Sequence, residues 1–113
     1  MGSVRELHPR HRVGEVAWQA TVGLGIGDDD TAGCVAESVH ASLAAATAWV
    51  EQTLPQAEFP DWVHRRPHGV AGAFLYGSVT QGWYDDSLTF EPDPDLPVWD
   101  ADLIDGVLRW REQ

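Results

Sequence analysis

The sequence has no lysine, no asparagine and only one cysteine, Cys34. A lone cysteine excludes an intrachain disulfide framework, so the fold must rest on packing. It also suits a reducing compartment. The opening MGSVRELHPRHRV lacks the apolar core of a secretory signal. No run approaches the roughly 18–20 apolar residues of a membrane span. The expected location is therefore the cytoplasm. All seven basic residues are arginine, set against 18 acidic residues for a formal net charge of -11. With abundant Ala, Gly, Asp and Trp, this reads as a GC-rich bacterial genome. So acidic a chain repels nucleic-acid phosphates and anionic lipid, which leaves a basic protein as the natural charged partner.

The chain is sufficient for one domain. At 113 residues and 43% hydrophobic it can bury roughly two-thirds of its unfolded surface. Residues 1–12 carry Arg5, Arg10 and Arg12 against Glu6 and read as a flexible basic arm, with a short added strand as the other option. Residues 13–113 form the expected α+β domain. From Val16 to Ile26 apolar residues alternate with Ala17, Gln19, Thr21, Gly23 and Gly25, the period of a strand with one buried face. The GDDDTAG stretch breaks that strand, and Asp30 or Thr31 is placed to cap a helix. Apolar positions Val35, Val39, Leu43, Ala46, Trp49, Val50 and Leu54 then fall in one helical stripe, ended by Pro55. Ala41, Ala44 and Ala48 make the outer helix face bland enough for a subunit contact.

Residues 55–69 read as a loop whose Phe59, Trp62 and Val63 return to the core. Strands are expected over Val70–Val79 and Ser87–Glu91, joined by Gln81-Gly82 and Asp85-Asp86 as turn formers. A second helix is expected from an Asp100 N-cap, with Asp105 and Arg109 paired at i,i+4 and Gly106 a cost of about 1 kcal/mol. The order is β-α-β-β-α: a small two-layer sandwich, mostly antiparallel, with two helices on one face.

The stretch LYGSVTQG (75–82) resembles the Gly-Ser opening of the minimal nucleotidyltransferase signature. That family carries an Asp-x-Asp pair on the following strand to hold a metal ion. Here Ser87–Glu91 has no such pair, and adjacent Asp85 and Asp86 would point to opposite faces of an extended strand. The departure removes the converging oxygens that phosphoryl transfer needs. GDDDTAG lacks the oxygen spacing of a calcium loop. His64 and His68 have helical spacing for a metal, but Pro67 opposes a helix there. No nucleophile accompanies either histidine as general base. Neither a catalytic set nor a cofactor or metal site is therefore expected. Cys34 is expected to be buried.

What remains is surface. Asp85, Asp86, Glu91, Asp93, Asp95, Asp100, Asp102 and Asp105 fall within 21 residues that contain no basic residue. Trp83 and Tyr84 stand between turn signals, where aromatic side chains anchor partners. Trp62, Trp83, Trp99 and Trp110 fall outside the obvious core positions. The expected partner-binding residues are Trp83, Tyr84, Asp85, Asp86, Asp93, Asp95 and Trp99. Trp62, His64, Arg65, Arg66 and His68 form the alternative, a ligand pocket. The functional expectation is an acidic interaction protein for a basic protein partner, as in immunity proteins and antitoxins. The alternative is a small-molecule binder or small enzyme with a Trp-lined pocket. A homodimer is considered through the Ala-rich helix face or a sheet edge.

Overall fold

The computed structural model describes residues 12–112. All but Arg12 of the basic arm lies outside them. The described residues build a sheet-rich α+β domain of six antiparallel strands and one regular helix. Strand β1 (Val16–Ile26) pairs on one side with β2 (Asp29–His40) and on the other with β3 (Ala73–Tyr84). Helix α1 (Leu43–Thr53) follows β2, then a 3-10 turn (Leu54–Gln56) and a single helical turn α2 (Asp61–His64). Strand β4 (Phe90–Pro92) pairs with the end of β3, and β5 (Val98–Ile104) with its middle. Strand β6 (Val107–Glu112) closes the order β2-β1-β3-β5-β6.

The alternation in β1 decides the layering. Trp18, Ala20, Val22 and Leu24 point to the face covered by α1. The helix lays Ala46 and Val50, with Leu54 beyond its end, onto Ala20, Val22, Val79 and Ala101, all at most 1% exposed. Trp18, Trp49, Trp99 and Trp110 wall this core. Trp110 also donates from Nε1 to Glu51 Oε2 at 3.3 Å, tying β6 to α1. Gly77 allows the helix its close approach. A Cβ there would fall on Cγ1 of Val50 and lie 3.3 Å from the Ala101 Cβ.

Two expected elements change type. Residues 32–40 are strand, not helix, so α1 begins at Leu43 behind Ser42, whose Oγ accepts from the Ala45 N–H at 3.1 Å. Positions 30 and 31 lie within β2 rather than at a helix start. Gly27-Asp28 forms a two-residue hairpin turn, with Gly27 at φ +62°, and Ile26 pairs directly with Asp29. The return strand satisfies the backbone of β1, which would otherwise be left as a bare edge. The expected second helix is also a hairpin. Asp105 and Gly106 have φ of +53° and +81°, the two positive values that a tight Asp-Gly turn needs. Val98–Ile104 then runs as β5, with Trp99, Ala101 and Leu103 on the core side. The expected two helices on one face in a β-α-β-β-α order therefore become one regular helix after a β-hairpin.

Strand β3 extends past the expected Val79 to Tyr84, so Gln81-Gly82 lies within a strand. Gly77 and Ser78 sit mid-strand, without the loop of a nucleotidyltransferase. Strand β4 begins later than expected, and Leu88 lies in the preceding loop at φ +57°.

Candidate functional site

At one end of the sheet, the segment before β1 clamps the end of β3. The Gly14 N–H donates to the Tyr84 carbonyl at 2.7 Å, and the Tyr84 N–H donates to the Glu15 carbonyl at 3.1 Å. Strand β4 crosses close on the other side because Gly82 has no Cβ. One there would collide with the Glu91 backbone and the Phe90 ring. These contacts open a pocket of about 390 Å³ lined by Val13, Gly14, Trp83, Tyr84, Asp85, Asp86 and Ser87. Trp83 is 37% exposed, whereas Tyr84 is 7% exposed. Burial, and secondarily the Glu15 carboxylate, raises the Tyr84 phenol above its ordinary pKa. It therefore stays protonated and neutral in the pocket wall.

The carboxylates here divide by task. Asp85 holds its own loop: its Oδ1 accepts from the Ser87 N–H at 2.8 Å and the Thr89 N–H at 3.0 Å. Asp93 does the same for the next loop, accepting from the Asp95 N–H at 2.9 Å. Asp86, Glu91 and Asp95 are exposed and point charge outward. With Glu15, six acidic residues collect at this end, and Arg12 is the one arginine near them in the described sequence. The end is electronegative, with an aromatic wall.

The structure thus brings Trp83, Tyr84, Asp85 and Asp86 together and keeps Asp93 and Asp95 on the adjoining loop. It separates Trp99, a β5 residue that pairs with Val79 of β3 and packs against the core. Trp110 likewise packs inward. The expected loop tip at Trp83 and Tyr84 is the last turnless part of β3, so their rings are held by a strand.

The residues of the alternative pocket lie in another part of the fold. His64, Arg65, Arg66 and His68 are exposed, and Trp62 is 41% exposed, beside Gly33 of β2. Val63 anchors this turn in the core, and Phe59 meets His64 edge-on at 6.4 Å. None of the five lines the pocket at the other end. Among the described residues no charged side chain is buried, and no group of three His, Cys, Asp or Glu could hold a metal ion.

Sequence reasoning missed two features. Cys34 is exposed rather than buried, and partial desolvation and then the Glu37 carboxylate raise its thiol pKa. His40 ends β2 with its Nε2 buried and unpartnered, its ring 6.2 Å from Trp49. Burial lowers its pKa below the ordinary histidine value. Both depend on which face of β2 a side chain occupies, which a helical reading of that segment cannot supply.

In comparisons with known proteins, no family model matches the chain, and no curated protein or solved structure matches it significantly.

Proposed function

We propose that the protein is a small acidic binding protein that takes a basic protein partner at the Trp83 end of its sheet, in the manner of an immunity protein or antitoxin. One observation carries the reading: Trp83, Tyr84, Asp85 and Asp86 line a single pocket, with Glu91 and Asp95 exposed beyond it. An arginine or lysine of the partner entering there would stack on the Trp83 face. Such a cation–π contact is worth roughly 0.5–2 kcal/mol, depending on desolvation. Asp86 supplies the counter-charge, and the outer carboxylates raise the association rate. The same field opposes nucleic acid and anionic membranes, and the lone cysteine fits a cytoplasmic setting.

The pocket volume also lies in the range of small-ligand sites, roughly 300–1,000 Å³. This favours a cationic small molecule as the second reading. Both are tested by immobilising the full chain and eluting captured bacterial proteins in a salt gradient. Wild type should retain basic proteins that a Trp83→Ala/Asp86→Asn variant loses, with release at rising salt. Equal retention by the variant would remove the pocket from the reading. A Trp fluorescence change with small cationic metabolites, and no protein retained, would support the second.

A further inference from the structure

The sheet has two faces, and among the described residues α1, the 3-10 turn and α2 occupy one of them. No described helix covers the middle of the other; β4 and the Phe90 ring lie over Gly82 at its pocket end, and its chemistry is ordered. Pairing registers place Glu37, Thr21, Ser78, Asp100 and Arg111 in one row across β2, β1, β3, β5 and β6. The row ends on an acid at one edge and a base at the other. Toward the pocket end lie Val39, Gln19, Thr80 and Val98. Toward the opposite end lie Tyr76, Phe74, Ile104 and Val107. Phe74, Ile104 and Val107 are 40%, 50% and 55% exposed. The Phe74 and Tyr76 rings lie over Gly25 and Gly23 of the neighbouring strand, where a Cβ would displace them. The corner is therefore apolar and level.

We propose that this open face binds a second copy of the chain, face to face, about a two-fold axis parallel to the strands. The charge pattern selects that axis. It sets β2 of one copy against β6 of the other and keeps the rows level, so Glu37 meets Arg111 of the second copy, twice per dimer. A two-fold axis across the strands would set Glu37 against Glu37 and Arg111 against Arg111. Edge-to-edge pairing of β6, centred on Trp110, would align each Arg109 with an Arg111. Like charges so placed oppose association.

With the axis along the strands, Phe74 and Tyr76 of β3 meet their counterparts at one end, while Ile104 and Val107 lie over β1 and β2 of the second copy. Ser78, mid-strand on the axis, is small enough for the sheets to close. Sheets packed face to face lie about 10 Å apart with strands within about 30° of each other, an offset that long Glu and Arg side chains span. Arg111 now sits 3.0 Å from Asp102 in an exposed pair, so it is already held on this face.

The area is sufficient. Five strands at about 4.8 Å spacing, over about six to nine residues each at about 3.3 Å, give about 600 Å² per copy. Two copies bury about 1,200 Å², the lower end of specific interfaces. The dimer is therefore expected to be reversible.

Sedimentation or light scattering of the full chain at rising micromolar concentration should approach twice the 12.4 kDa chain mass. Glu37→Arg and Arg111→Glu should each raise the dimer Kd by roughly 100-fold or more, since each creates two like-charge contacts. An equimolar mixture of the two variants should dimerise again, because every reversed charge then meets an opposite one. Both side chains are exposed, so unchanged circular dichroism is expected. If either reversal fails to fold, Val107→Asp at the exposed corner tests the same face and should also dissociate the dimer. Three results would overturn the proposal: a monomeric wild type, which leaves the face to solvent or to another occupant; a dimer that the reversals leave intact; or single variants that do not associate when mixed.

Discussion

Gly77→Ala is the sharpest probe of how helix and sheet meet. In a strand, alanine is by itself favoured over glycine by about 0.5–1 kcal/mol, because it has less backbone freedom to lose. At this position the added methyl falls on Cγ1 of Val50, with the Ala101 Cβ at 3.3 Å and Leu54 Cδ2 at 3.6 Å. Side chains this buried have no open space to turn into, so α1 must lift from the sheet. Overpacking of that kind costs about 1–3 kcal/mol, and more where backbone must move. A net loss of about 2 kcal/mol follows, which is about 8 °C in Tm for a domain near this size. Val50→Ala alone removes two methyl groups from a site with 0% exposure. It should cost about 2–3 kcal/mol from lost transfer energy plus cavity.

In the double variant, the methyl added at position 77 occupies the space that Val50 vacates. The two losses should then fall short of their sum by about 1–3 kcal/mol, the coupling typical of residues in contact. Urea unfolding followed by tryptophan fluorescence measures all four proteins. Additivity to within about 0.5 kcal/mol would refute the claim that Gly77 exists to admit Val50.

Two further changes separate charge from structure. Asp85→Ala should destabilise by about 1–2 kcal/mol through loss of two loop hydrogen bonds, whereas Asp85→Asn keeps an accepting oxygen and should leave the urea midpoint nearly unchanged; equal losses would deny the loop role. His40 has its folded pKa lowered by burial, so below the ordinary value of 6.5 the unfolded chain binds more protons than the folded one. Its contribution is intact above that value and is lost progressively as pH falls below it. The drop in Tm between pH 7.5 and 5.5 should therefore be smaller in His40→Phe than in wild type, and an identical drop would assign the acid response elsewhere.

The strand β1 was legible because eleven residues alternate without interruption, and α1 because Ala46, Val50 and Leu54 repeat at four-residue spacing before Pro55. The errors share one cause. Val35 and Val39 also stand four apart, a spacing that suits a helix. In β2 a register shift between the partners of Val22 and Gly23 inserts Val35 as an extra residue. A bulge of that kind blurs the period of two. The better signals were the turns. Gly27-Asp28 and Asp105-Gly106 are both two-residue hairpin dipeptides, and each outweighs a helical stripe of comparable length. The acidic residues from Asp85 to Asp95 were legible as a group because they are close in the chain. The open face was not, since its central row draws one residue from each of five strands.

The two proposed surfaces bear on each other through symmetry. A two-fold axis parallel to the strands leaves both copies pointing the same way, so both Trp83 pockets emerge at one end. The acidic residues there would repel across the dimer, but at physiological salt the Debye length of about 8 Å screens exposed charges. The face itself is nearly balanced, with Glu37, Asp100 and Asp102 set against Arg109 and Arg111 on each copy. Dimerisation would then join two acidic sites at short range, and a partner with two basic segments would gain from the second at high effective concentration. A monomeric Glu37→Arg variant keeps its pocket intact, so its affinity for a single basic peptide should match wild type. Its retention of a partner that engages both sites should fail at lower salt. If the variant held such a partner as firmly as wild type, the two surfaces would act independently.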